Sequence, residues 1–486
     1  MLKKKHLNTN RIIILLLVIT FFVKGVFLVT LLPIFKGQDE ARHYNTIQFL
    51  NEPKEKNWEF TKKTDDDKEK DDLSTYRFSE EIKNTALKTE ANRLRYNNLD
   101  TITFTNSFEG KNEGEIKGDK VPAINKTEPV SVTMAGVYHR LGYLIENGFE
   151  NQNIFVRFYL IRLFSVILAS FSIIFYYFIL KGIGIPKEYS YAILTLTIFQ
   201  PAFSLYVTNI NYAPLLILVF SSFVYGGILY IKQGFNRKNL SLLVFSTIIG
   251  LLTKGTAIVL LFALVGLIIF EIIKKTKGLS SNKFYKYILL SASVLILMLF
   301  FYGSKYLPLD DKTVPEATTS FGSYVSETLT VRKFSHTSKT YWGVYNLTNK
   351  NVTDILKYTF LILDLISAVG FLLYCFSKKK LPKYLPQKKY SLFFIFMILS
   401  LQVGVRLAGW KYFDKTGEIG LGAPGRYFLP NLVPHYCLIY VGIGTLFFYL
   451  KAQKYFKYFL AISAILMVFL SLNSIFNYLL YRYYLL

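Results

Sequence analysis

The sequence predicts an all-α, polytopic integral membrane protein, and three observations lead there. Hydrophobic residues occupy 52% of the 486 positions and aromatic residues 17%, with a mean hydropathy of +0.31. The apolar excess is gathered into blocks of about 16 to 28 residues with few charges, and about 20 such residues cross a bilayer as a helix. Blocks such as Ile12 to Val23 and Ile288 to Phe301 are apolar on every side, whereas a membrane barrel strand alternates polar and apolar positions. A helix also satisfies its own backbone hydrogen bonds, which hydrocarbon demands.

Hydropathy places about eleven spans, at roughly 11–33, 153–180, 188–206, 210–231, 239–253, 255–273, 284–303, 354–376, 390–410, 427–450 and 456–479. The first follows Lys3, Lys4 and Lys5 like a signal peptide. Its apolar run is too long and no small-residue cleavage site follows, so it reads as an uncleaved anchor. The expected organisation is an anchor helix at 1–34, an outer loop at 35–152, a core of six spans at 153–303, a second outer loop at 304–353 and four last spans at 354–486.

The net charge of +25 raises the question of nucleic acid, but the lysines sit in short loops between spans. With the amino terminus inside, every inner loop is lysine-rich: Lys181 and Lys187; Lys232 and Lys238; Lys274 to Lys283; Lys378 to Lys389; Lys451 to Lys457. That is the positive-inside pattern, and it puts both long loops outside. Topology, not nucleic acid, accounts for the basicity. The acidic centre of the first loop, Thr64 to Asp72, lacks the spaced ligands and glycine of a calcium loop and reads as a solvated charged stretch. No fixed-period repeat is visible, which argues against transporter folds built from duplicated halves.

Several chemistries are excluded by what is missing. The sequence has no GxxxxGK[ST] phosphate loop, no GxGxxG after a strand, no HExxH, and five scattered histidines. Cys375 and Cys437 both fall inside spans, so there is neither a disulfide framework nor a metal-type spacing. Nucleotide hydrolysis and zinc catalysis are not expected.

Two constellations remain. Just after the first span, Pro33 and Gly37 stop the helix and hold Asp39, Glu40 and His43 at the membrane boundary. A carboxylate fixed there is a candidate general base; the alternative is an acid pair capping the next helix. The second set is cationic and lies toward the outer leaflet: Arg157, Arg162, Lys254, Arg406 and Arg426. Guanidinium and ammonium groups there suit phosphate, either of a bound lipid-linked substrate or of ordinary headgroups. Lys24 and Asp364, of opposite sign near mid-span, are expected to pair.

An acid pair after the first span, a large outer loop, a second span opening with arginine and a Lys254-Gly255 turn together resemble the C-type (GT-C) membrane glycosyltransferase superfamily. Pro33 to His43, Tyr341-Trp342-Gly343-Val344-Tyr345 and Gly425-Arg426-Tyr427-Phe428-Leu429-Pro430 resemble, more narrowly, a bacterial family called domain of unknown function 2142. This chain departs from that pattern in having Gln38 before Asp39-Glu40, and Glu128-Pro129-Val130 where a His-Pro-Pro-like segment is expected.

The resemblance implies a catalytic acid in the first outer loop, a polyprenyl-phosphate sugar as donor, and a glycan or lipid-linked acceptor in a cell-surface polysaccharide pathway. On that reading Asp39 is the base, with Glu40 and His43 orienting Asp39 or the acceptor. Arg426, Arg162, Lys254, Arg157 and Arg406 take the donor phosphate, and Tyr427 and Trp342 contact substrate. No cofactor is required; a divalent cation near Asp39 and Glu40 is compatible with the pair. Membrane lipids are expected partners and nucleic acid is not. The competing readings are a lipid-linked polysaccharide polymerase, ligase or transporter, and a non-catalytic membrane subunit. The early position of the large loop disfavours the first group.

Overall fold

The structure is a computed structural model that describes residues 9–37, 39–50, 80–89, 135–277, 324, 328, 331–343, 350–416, 424–477 and 479–480. Among these residues the secondary structure is helical, with no strand. The chain is an all-α polytopic membrane protein. In order come α1 (Thr9–Leu31), α2 (Glu40–Phe49), α3 (Glu80–Lys88), α4 (Val137–Gly148), α5 (Ile154–Gly182), α6 (Lys187–Phe199), α7 (Pro201–Val207) and α8 (Ala213–Gln233). They are followed by α9 (Arg237–Thr253), α10 (Ile258–Lys277), α11 (Val331–Trp342), α12 (Lys350–Phe376), α13 (Lys388–Thr416), α14 (Leu432–Tyr449) and α15 (Gln453–Ser474). Short 3-10 turns at Gly255–Ala257 and Gly425–Asn431 lead into α10 and α14.

Seven described helices are long and apolar enough to cross a membrane, and an eighth span arises if α6 and α7 count as one bent by 58°. The bend sits at Gln200-Pro201, where proline's missing N–H breaks the helical ladder. Of the two spans expected around Lys254, α9 has 17 residues, and α10, which follows the Gly255–Ala257 turn, has 20. The expected span at 284–303, the charged stretch at 64–72 and Glu128 to Val130 lie outside the described residues. Large apolar side chains stay exposed along the spans, among them Leu15, Leu16 and Val23 on α1 and Ile362, Leu365 and Val369 on α12. Lipid solvates such faces without cost, so they need no protein cover.

The described residues fall into two units. The larger comprises 1–21, 170–203 and 216–478; the smaller comprises 22–169, 204–215 and 479–486. In the larger unit α12 packs most closely on α14. A side chain at Gly370 would strike the backbone of Gly442, and one at Gly442 would strike Ser367. Mutual glycines let the two backbones touch, and such close packing is what holds helices together where lipid removes the hydrophobic drive.

In the smaller unit α2 lies on α4. Tyr44 donates to both oxygens of Glu146, at 3.2 and 3.0 Å, and Gln48 donates to Glu81 at 2.7 Å. Arg157, at the start of α5, ion-pairs with both Glu81 and Glu146. One guanidinium therefore ties α3 and α4 to the first turn of the second span. Burial holds the Glu146 carboxyl above its ordinary range, against the pull of Arg157.

Candidate active site

After α1 the chain turns through Pro33 and reaches Asp39 in a left-handed conformation, φ 55° and ψ 13°. Asp39 is exposed, and its side chain makes no capping bond to α2; its carbonyl accepts from the His43 N–H at 3.1 Å. The capping alternative therefore does not describe its carboxylate.

Glu40, its neighbour, is 1% exposed and wholly committed. Arg162 donates Nε to Oε1 at 2.8 Å and Nη2 to Oε2 at 2.6 Å. The Gly37 N–H adds a bond to Oε2 and the Ile210 N–H one to Oε1, both at 2.9 Å. Arg162 spends its remaining donors on the carbonyls of Val29, Leu32 and Pro33. All five of its N–H groups are thus bonded.

Three sequence expectations are corrected by this geometry. Glu40 is not a partner of the Asp39 carboxylate but the counter-ion of Arg162. Arg162, fully buried, has no donor left for phosphate. Arg157 is likewise held by Glu81, Glu146 and the carbonyl of Gln152. A guanidinium seen alone in a sequence attracts a phosphate reading, but carboxylates far along the chain have taken both.

His43 is buried and hydrogen-bonds through Nδ1 to Nε2 of His139 at 2.9 Å, with Tyr212 edge-on to its ring. His139 Nδ1 accepts the Gly136 N–H at 3.1 Å, so the proton of a neutral His139 sits on Nε2 and is donated to His43. His43 then carries its own proton on Nε2. Burial first, and the neighbouring His43 second, push His139 down to about 3.

Sequence reasoning missed His139 and the irregular stretch Thr208 to Tyr212. In that stretch the Asn211 amide donates to the Tyr206 carbonyl at 3.0 Å, its Oδ1 accepts the Ala213 N–H at 2.7 Å, and Asn209 is fully buried. The signal was present: Thr208-Asn209-Ile210-Asn211 is a polar interruption in an otherwise apolar run. Lys24 belongs to the same unit, where its Nζ donates to Ser204 Oγ at 2.6 Å.

The other expected cations lie in the larger unit. Lys254 Nζ and Arg426 Cζ each lie 4.9 Å from the centroid of the Tyr427 ring, two cations on one quadrupole. The imidazole of His336 is pushed down by burial and by the charges of Lys339 and Arg426. Positive groups from α11, the α9–α10 turn and the Gly425–Asn431 turn therefore gather here. The Gly425 N–H donates to Thr340 Oγ1 at 2.8 Å, and a side chain at 425 would collide with the backbone at Thr337 and Tyr341. That close approach seats Arg426 against α11. Arg406 donates to Thr328 Oγ1 at 2.8 Å.

Trp342 is 1% exposed, with one face stacked on Phe360, ring centroids 4.5 Å apart. Its Nε1 donates to Asp364 Oδ2 at 3.3 Å. Asp364 and Lys24, expected to pair, thus each have a partner inside their own unit. Among the described residues no group of three or more His, Cys, Asp or Glu is placed to hold a metal.

No protein-family model matches the chain, so the narrower family resemblance rests on its three short stretches alone. No curated protein matches it either. Among solved structures, the Archaeoglobus fulgidus oligosaccharyltransferase, in complex with zinc and sulfate, is similar at 13% identity with a TM-score of 0.32. The match covers 71% of this chain and 45% of that one, so the chain spans less than half the length of that enzyme. At that distance the chemistry must be argued from this chain's own residues.

Proposed function

We propose that the chain is an inverting membrane glycosyltransferase that moves a sugar from a polyprenyl-phosphate donor to a cell-surface glycan or lipid-linked acceptor. The observation that carries this reading is the division of labour between neighbouring acids. Glu40 is buried and neutralised by Arg162, while Asp39 is exposed on a backbone that Glu40 anchors. An exposed carboxylate held rigidly at a span boundary is suited to accept a proton.

In the proposed reaction Asp39 takes the proton of an acceptor hydroxyl. The freed oxygen attacks the anomeric carbon, and the bond from that carbon to the lipid phosphate breaks, leaving the charge on the phosphate. Arg426 and Lys254, gathered on Tyr427, would stabilise that charge. Arg406 is a further candidate at the phosphate; Arg157 and Arg162 support the fold. His43 positions the start of α2 through its backbone bond to Asp39. A divalent cation at Asp39 is compatible with the reaction but not required by it.

The lysine-rich short loops support an orientation with the amino terminus inside and Asp39 outside. Nucleotide sugars belong to the inside, so a donor used outside would be lipid-linked. The test is transfer from radiolabelled undecaprenyl-phosphate sugars by the purified protein with membrane extract as acceptor, comparing wild type with Asp39→Asn. Label leaving the lipid only with wild type is expected; equal transfer by Asp39→Asn overturns the assignment.

A further inference from the structure

The larger unit holds a cavity of about 140 Å³ that the proposed base and phosphate ligands do not use. Ser338 from α11, Asp364 from α12, and Asn431 and His435 from the turn and helix that follow the Gly425 motif line it, with Tyr341 and Phe428 as aromatic walls. A cavity of about 150 Å³ accommodates benzene, so the space here is on the scale of a single ring.

The polar atoms here share one chemistry. Asn431 is 3% exposed, and its Nδ2 donates to the Met397 carbonyl at 2.7 Å, which fixes Oδ1 as its free acceptor. Asp364 gives Oδ2 to Trp342, and its Oδ1 stands 3.5 Å from His435 Nε2, beyond good hydrogen-bond distance. His435 is itself oriented by the Tyr341 hydroxyl at 2.9 Å from Nδ1. Asn431 Oδ1, Asp364 Oδ1 and Ser338 Oγ are all buried without a hydrogen-bond partner. Two are acceptors only and the third accepts as readily as it donates. Buried acceptors call for donors, which a phosphate ionised at neutral pH scarcely supplies and a ring bearing hydroxyls does.

We propose that this cavity is a binding site for one hydroxyl-bearing sugar ring and that it excludes phosphate. The proposal rests on the glycosyl-transfer reading for its biological sense, but not for its test. Trp342, which also lines the cavity, positions Asp364 through its Nε1 bond to Oδ2.

The experiment is saturation-transfer NMR on the full chain in lipid nanodiscs, with a panel of methyl glycosides, inorganic phosphate and methylammonium as probes. At least one glycoside is expected to bind in the wild type and in Asp39→Asn. Asp364→Asn, which keeps the Trp342 bond but turns an acceptor into a donor, is expected to weaken that binding tenfold or more. Ser338→Ala, a smaller change that guards against misfolding, is expected to weaken it severalfold. Glycoside binding unchanged in both variants, displacement of glycoside by phosphate, preference for methylammonium, or no glycoside binding at all would each overturn the proposal.

Transfer lost in Asp39→Asn with no glycoside site leaves the catalytic reading standing alone; the converse leaves the sugar site standing alone. In the transfer assay, a raised KM of Asp364→Asn for the lipid-linked donor assigns the ring to the donor, and a raised KM for the acceptor assigns it there.

Discussion

Arg162 meets Glu40 edge-on across 122 residues of sequence, with Nε 2.8 Å from Oε1 and Nη2 2.6 Å from Oε2, and neither side chain touches solvent. The pair joins the second span to the turn that presents Asp39.

Removing one partner leaves the other charge buried. Arg162→Met should therefore destabilise the protein by about 3–5 kcal/mol, and Arg162→Met with Glu40→Gln should recover much of the loss. Thermal unfolding in detergent measures both. A single variant as stable as wild type but inactive would instead return Arg162 to a substrate-binding role.

At Asp39 the backbone and the carboxylate separate cleanly. Asparagine tolerates the left-handed region, so Asp39→Asn should keep the wild-type melting temperature while losing transfer. Asp39→Val should lose transfer and also about 1–2 kcal/mol of stability, because a branched side chain crowds the following carbonyl there. Equal melting temperatures for the two variants would show that φ at this residue relaxes.

His139 makes stability depend on acidity. Its folded-state value of about 3 lies below the ordinary 6.5, so between these values the unfolded chain binds a proton that the folded chain refuses. The contribution is complete above about pH 6.5 and is lost progressively as pH falls toward about 3. His139→Phe should flatten that part of a melting-temperature titration. A slope unchanged by the substitution would assign the acid sensitivity to other groups.

If Arg426 stabilises the departing phosphate, Arg426→Ala should reduce kcat about 10²- to 10³-fold, as loss of one such donor costs about 2.7–4 kcal/mol in the barrier. Tyr427→Leu, which removes the ring both cations share, should cost less, since a cation–π contact contributes about 0.5–2 kcal/mol. Arg426→Ala within threefold of wild type would remove it from the reaction.

The spans were legible because hydrophobicity is a local property, written within some 20 consecutive residues. The short α9 and the bend at Gln200-Pro201 were harder: the first differs from a full span by a few residues, and the second lies inside a stretch whose mean hydropathy reads as one span despite Gln200 and Pro201. The acid motif was found, but its two carboxylates were not told apart. Exposure of Asp39 and burial of Glu40 depend on Arg162 and Ile210, which no local pattern connects to them. The same non-locality explains why Arg157 and Arg162 passed for phosphate ligands. Lys254, Arg426 and Tyr427 do converge, because a motif turn and a Lys-Gly turn each present a cation.

The backbone at Asp39 also limits what can replace it over generations. Glycine and asparagine occupy left-handed positions at little expense, and each is one nucleotide from an aspartate codon. Glutamate, the other carboxylate, gains no such tolerance from its longer side chain. The easiest mutational steps from this residue therefore retain the fold and discard the acid. Selection for folding alone would therefore not keep a carboxylate at this position.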